Sequence, residues 1–127
     1  MPKILIVDDD SLIRELLLQV LEPFEENGVT LLSAQNGVIA VEVINKELPD
    51  MVFLDVMMPK MNGFEVCRIV KSTAALKDIY IVMLTAKGQE VDKQNATAAG
   101  VDYYITKPFN ISEIIKKVNE VLNMNVS

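Results

Sequence analysis

The sequence predicts a single α/β domain in which five parallel strands alternate with five helices. Three observations point there. Uncharged, β-branched runs too short to be helices recur along the chain. Each is followed by a longer stretch whose apolar residues repeat at helical spacing. The chain has 127 residues, 50% of them hydrophobic and 24% charged, enough for one buried core without disulfide or metal support.

The elements follow in order. Ile4-Leu5-Ile6-Val7 is the first strand, and Ile13, Leu16, Leu17, Val20 and Leu21 form the buried stripe of the first helix. Leu12 and Leu18 fall outside that stripe. Val29 to Ala34 is a second strand, more polar and so placed toward a sheet edge; Ala40, Val41, Ile44 and Leu48 mark the second helix. Met51-Val52-Phe53-Leu54 is the third strand, with Phe64, Cys67 and Val70 on the helix after it. Ile79 to Leu84 is the fourth. The helix expected from Glu90 to Ala99 is the weakest, with Val91 almost its only large apolar residue. Asp102 to Thr106 is a second edge-like strand. Ile111, Ile114, Ile115, Val118, Val121 and Leu122 make the clearest amphipathic helix, opened by Asn110 and Glu113 in N-cap and N3 positions. Right-handed crossovers join such units.

Composition removes several kinds of chemistry. There is no histidine, which excludes Ser-His-Asp and Cys-His catalysis and imidazole metal sites. The one cysteine, Cys67, is expected to fill core. Asp and Glu number 18 against 12 Lys and Arg, a net charge of −6 that disfavours nucleic acid and anionic membranes as partners. No apolar run reaches membrane-spanning length, and the stretch before Asp8 is too short for a signal peptide, so a cytoplasmic location is expected.

Ligands of open parallel sheets bind beyond the carboxyl ends of the strands. The first strand is followed there by Asp8, Asp9 and Asp10, the third by Asp55, the fourth by Thr85 and the fifth by Lys107 and Pro108. Taken singly, Asp10 reads as a helix N-cap, Thr85 as a turn residue and Lys107 as a solvated charge. Together they read differently. Three converging carboxylates repel one another and call for a cation, and an all-oxygen donor set selects a hard ion such as magnesium (Mg2+). A nearby ammonium and hydroxyl suit the oxygens of a phosphoryl group. The edge reads as a carboxylate that accepts phosphate.

The chain resembles the receiver domain of two-component response regulators. The resemblance rests on Val7-Asp8-Asp9-Asp10, Leu54-Asp55-Val56-Met57-Met58-Pro59, Met61-Asn62-Gly63, Leu84-Thr85-Ala86 and Tyr104-Ile105-Thr106-Lys107-Pro108-Phe109, in order and spacing. It implies a flavodoxin-like five-stranded sheet in the order 2-1-3-4-5, with five helices on its two faces. It implies that Asp55 is phosphorylated from a histidine kinase or histidine phosphotransfer protein. Asp9 then matches a direct magnesium ligand, Asp8 a partner acting through bound water, and Met57 a ligand through its backbone carbonyl. Thr85 and Lys107 match groups on the phosphoryl oxygens, Tyr104 the aromatic that moves inward on activation, and Lys107-Pro108 a cis bond.

The remaining expectations concern partners and rate. Met57 and Lys87, two residues beyond Asp55 and Thr85, rim the site and are expected to set the phosphoryl lifetime. Leu12 lies where the family's kinases dock. The face of the fourth helix, fifth strand and fifth helix is the family's usual output surface, toward a downstream protein or effector domain. There Asp92, Lys93, Asp102, Glu113 and Lys117 partly resemble the charge pattern of dimerising regulators, with Tyr103 where a second acid often stands. Only Asn123 to Ser127 follow the last helix, so residues 1–127 are expected to be one receiver domain without an effector. The expected activity is a switch with intrinsic self-phosphorylation and self-dephosphorylation, not an enzyme. Competing readings are an aspartyl phosphatase of the haloacid-dehalogenase type, a flavin binder and a phosphate-independent interaction module. The first lacks the acid it wants at Met57, and the second would set its phosphate against Asp8, Asp9 and Asp10.

Overall fold

The computed structural model describes residues 2–86 and 98–127. Its strands are β1 (Lys3–Val7), β2 (Thr30–Ala34), β3 (Met51–Asp55), β4 (Tyr80–Ala86) and β5 (Tyr103–Lys107). Its described helices are α1 (Ser11–Glu26), α2 (Gly37–Glu47), α3 (Gly63–Ser72) and α4 (Ile111–Leu122). The helix expected from Glu90 to Ala99 falls almost wholly on residues 87–97, outside the described ones, so α4 is the last helix of the chain. Among the described residues no helix is long and apolar enough to cross a membrane.

All strand pairs are parallel, in the order β2-β1-β3-β4-β5. The two more polar strands are the edges, as their composition predicts. Strand alternation sorts the apolar side chains onto two faces. Leu5, Val7, Val52, Leu54, Ile81 and Met83 pack with Ala40, Ile44, Phe64, Cys67 and Val70 of α2 and α3. Ile4, Ile6, Met51, Phe53, Val82, Leu84 and Ile105 pack with Leu17, Leu21 and Phe24 of α1 and with Ile114 and Val118 of α4.

Two expectations need correction. On α1 the buried line is Leu17, Leu21 and Phe24, whereas Leu16 is exposed and Leu18 is half-buried against the core. From Leu16 to Leu21 the apolar residues are interrupted only by Gln19, so spacing alone left the face ambiguous by one position. Leu48 is exposed because α2 has already ended: it is a left-handed C-cap (φ 50) whose N–H bonds the Ile44 carbonyl. As expected, Asn110 caps α4 by accepting the N–H of Glu113 at N3, at 3.2 Å, while the Glu113 carboxylate accepts the Tyr103 hydroxyl at 2.6 Å. A reciprocal capping box belongs to Asn62 and Glu65 on α3.

Two polar anchors hold the far side. The Lys71 ammonium donates to the carbonyls of Lys77 (3.1 Å) and Ile79 (2.7 Å) and to the Asp102 carboxylate (2.7 Å). Asp102 also accepts the Ile81 N–H at 2.8 Å, tying α3 to the starts of β4 and β5. Beyond α4, the Asn119 amide donates to the Val126 carbonyl at 2.7 Å and accepts the Val126 N–H at 2.9 Å. Met124 and Val126 are thereby laid against the α1–α4 core. Cys67 is buried, donates to the Ala99 carbonyl at 3.4 Å, and has its thiol pushed up to about 11 by burial, which suits a core residue.

Candidate functional site

Strand register brings the chemistry to one edge. Val7 pairs with Leu54 across β1 and β3, Asp55 stands opposite Leu84, and Thr85 opposite Thr106. The residues that follow these positions therefore converge at the carboxyl end of the sheet. Asp8, Asp55 and Thr85 are 1%, 5% and 3% exposed, while Asp9 is open to solvent.

Each carboxylate is placed by its loop. The Asp10 carboxylate accepts the Leu12 N–H at 2.9 Å and so caps α1, as its position predicts. The Asp10 N–H donates to Asp8 Oδ1 at 2.9 Å, fixing the neighbouring acid. Beyond Asp55 the chain turns sharply: Lys60 is left-handed (φ 72) and the Met61 N–H bonds the Pro59 carbonyl at 2.8 Å. Gly63 then opens α3 against the end of β3, its N–H on the Val56 carbonyl at 3.0 Å. A Cβ at Gly63 would lie 2.3 Å from the Asp55 carbonyl oxygen, so only glycine allows this approach.

Oxygens from Asp8, Asp9 and Asp55 lie within 4.8 Å of one another. Lys107 reaches across from β5, its ammonium 3.1 Å from Asp55 Oδ1 and 3.3 Å from Asp8 Oδ2, and the Lys107–Pro108 bond is cis. Burial, then repulsion from Asp8, pushes the Asp55 carboxyl up to about 6 against the downward pull of Lys107; Asp9 adds a little more repulsion. Burial works to lower the Lys107 ammonium, but Asp55 and Asp8 outweigh it and its pKa is raised. One lysine is thus shared by two buried acids.

Tyr104 is exposed on β5, two positions before Thr106, the neighbour of Thr85. Met57 is 68% exposed and Leu12 72% exposed, with Leu16 and Ile111 also exposed. Lys87, Asp92 and Lys93 lie outside the described residues. The residue that sequence reasoning missed is Arg14. Its guanidinium donates to the Asp8 backbone carbonyl at 2.6 Å. A signal was available: a cation in the first turn of a helix opposes the helix dipole, so it must be held there by something else.

Residues 4–119 match the family described as the response regulator receiver domain. The phosphate regulon transcriptional regulatory protein PhoB of Klebsiella pneumoniae is 38% identical over 120 residues, 94% of this chain and 51% of that protein. The response regulator MprA of Mycobacterium ulcerans (strain Agy99) is 40% identical over 120 residues, 94% of this chain and 50% of its own length. The chain thus spans about half the length of these curated relatives. The solved signal receiver domain of a DNA-binding response regulator from Colwellia psychrerythraea 34H superposes with a TM-score of 0.89 at 29% identity, covering 98% of this chain and 100% of that one. Strand order, motif order and these likenesses agree, and the chain belongs to the receiver domains of response regulators, which are signalling domains rather than enzymes.

Proposed function

We propose that this domain is a phosphorylation-controlled switch in which Asp55 accepts a phosphoryl group from a histidine kinase or histidine phosphotransfer protein. The observation that carries the reading is the buried Asp55 carboxylate, bridged to Lys107 at 3.1 Å and crowded by Asp8 and Asp9. An Asp55 oxygen attacks phosphorus; the phosphorus–nitrogen bond of the donor phosphohistidine breaks, and its electron pair stays on the imidazole. Lys107 and Thr85 take the phosphoryl oxygens. As Thr85 is drawn in, Tyr104 leaves its exposed position, and the surface around β5 and α4 presents a different packing to a downstream protein or effector domain.

The acid cluster fits magnesium: its side-chain donors are all oxygen, and one ammonium cannot neutralise three carboxylates. Asp8, Asp9, Asp55 and the Met57 carbonyl would hold the ion, which when bound offsets negative charge on the acids and the phosphoryl group. Leu12, with exposed Leu16 one turn on, offers the donor protein an apolar footing on the helix that follows the acids. Such a donor draws on ATP and places the domain in the cytoplasm. For the output face we favour a downstream partner over a second copy. Asp102, Glu113 and Lys117, three of the charges that partly resemble the dimerising pattern, are engaged within the chain by Lys71, Tyr103 and Glu120.

Acetyl phosphate and magnesium should give a mass increase of one phosphoryl group on the peptide carrying Asp55; an unmodified peptide would overturn the proposal. Magnesium should raise the melting temperature by mass action, and Asp9→Ala should remove most of that rise. Melting curves with and without the ion test it, and an undiminished rise in the variant would place the ion elsewhere.

The lifetime follows from the rim. Met57 offers only a weakly accepting thioether to the water that must approach the acyl phosphate in line, so decay should be slow. Met57→Asn, alone or with Lys87→Glu, should hasten it, as a time course of phosphoryl loss from the purified phosphoprotein would record. Equal decay in native and variant proteins would show that the rim does not control the water.

A further inference from the structure

We infer that Arg14 is a positioning residue for the acid cluster, setting the aim of Asp9 and hence the affinity for magnesium. The inference rests on reading the cluster as the magnesium site. All three acceptor atoms of Asp8 are engaged: Oδ1 by the Asp10 N–H, Oδ2 by Lys107 and the backbone carbonyl by Arg14 at 2.6 Å. Asp9 differs. It is exposed and has no hydrogen bond among the described residues, yet one of its carboxylate oxygens lies within the 4.8 Å cluster. What directs it is the backbone. The peptide unit from the Asp8 carbonyl to the Asp9 Cα is a rigid plane, so a guanidinium held on that carbonyl restrains the Cα and the N–Cα axis from which the Asp9 side chain departs. Arg14 is itself half-buried, and with Ser33, Ala34, Gln35 and Ile39 it lines a small pocket where the start of α1 meets the end of β2 and the start of α2. A planar donor on a rigid helix is the kind of support that keeps a weakly restrained ligand in place.

Arg14 also carries a positive charge, and this gives the test its direction. If Arg14 acted only through charge, removing it would strengthen binding of a cation to the nearby acids. If it positions Asp9, removing it weakens binding. The experiment is titration calorimetry of magnesium into the whole protein, comparing native, Arg14→Met and Arg14→Lys, with Asp9→Ala as the reference for a lost ligand. Arg14→Met is expected to bind magnesium about tenfold more weakly, the scale of losing an outer support of a metal ligand. Arg14→Lys, which keeps the charge and one donor, should recover part of the loss. In acetyl phosphate uptake the magnesium concentration for half-maximal rate should rise in Arg14→Met while the rate at saturating magnesium stays near native. Unchanged or tighter binding in Arg14→Met, or a fall in stability with native affinity, overturns the positioning role. Native protein that binds no magnesium overturns the site reading, and the inference with it; native binding that Asp9→Ala leaves intact does the same.

Discussion

Asp55→Asn should take up no phosphoryl group from acetyl phosphate, and without divalent ions it should melt above the native protein at neutral pH. The loss of uptake is chemical: an amide offers no nucleophilic oxygen that could form an acyl phosphate. The gain in stability comes from the cost of keeping Asp55 charged. Its carboxyl rises from the usual 3.8 to about 6 in the folded protein. A raised carboxyl pKa means that the folded state holds a proton that the unfolded state has lost. Stability therefore falls as pH rises from about 4 to about 6, and the full penalty, at most about 3 kcal/mol, is present above that window. The amide removes the charge, and Lys107 keeps Asp8 as its partner. Melting temperatures of the two proteins should separate as pH rises from about 4 to about 6, stay apart above that, and converge toward pH 4. Uptake by Asp55→Asn equal to native would remove Asp55 as the acceptor, and a gap independent of pH would mean that its charge is not what costs stability.

Gly63→Ala should cost about 3 kcal/mol and slow phosphoryl uptake at the same time. The new Cβ would sit 2.3 Å from the Asp55 carbonyl oxygen, 3.1 Å from its carbon and 3.0 Å from the Met83 sulfur. The sulfur can move, but the carbonyl belongs to a central strand paired on both sides. Relief must come from shifting α3 outward, which opens the core under Phe64 and Cys67, or from displacing the end of β3 that carries Asp55. Urea unfolding and the initial rate of uptake measure the two effects, and native values for both would show that α3 yields without disturbing the strand.

Much of this was legible in the sequence because burial on both faces leaves a strong mark. β1, β3 and β4 carry their apolar runs openly, and the polar residue after each run locates the functional edge without coordinates. Asp10 could be read as a cap because its chemistry is local. Non-local pairings were not legible. Nothing near Arg14 in the sequence says that its guanidinium ends on the Asp8 carbonyl, and nothing near Glu113 says that a tyrosine ten residues back takes its carboxylate. Asp102 reads in the sequence as one charge of the output face, yet Lys71 and the Ile81 N–H hold it. In the leucine-rich α1, the ambiguity between Leu16 and Leu17 was settled by the sheet, which buries whichever line of side chains faces it.

The Asn119 bracket on Val126 bears on how anything joined to this domain is tethered. Without it, a flexible leash would begin at Asn123, where α4 ends in a left-handed cap. With it, the backbone is fastened back beside α4 as far as Val126, and Met124 and Val126 are seated on the core. Whatever chain is joined beyond Ser127, natural or engineered, starts its leash from the flank of the molecule and gives up several residues of slack. The reach of a flexible leash grows only as the square root of its length, and local concentration rises steeply as it shortens. Two hydrogen bonds from one amide thus set how closely a cargo is kept against the α1–α4 side of the domain.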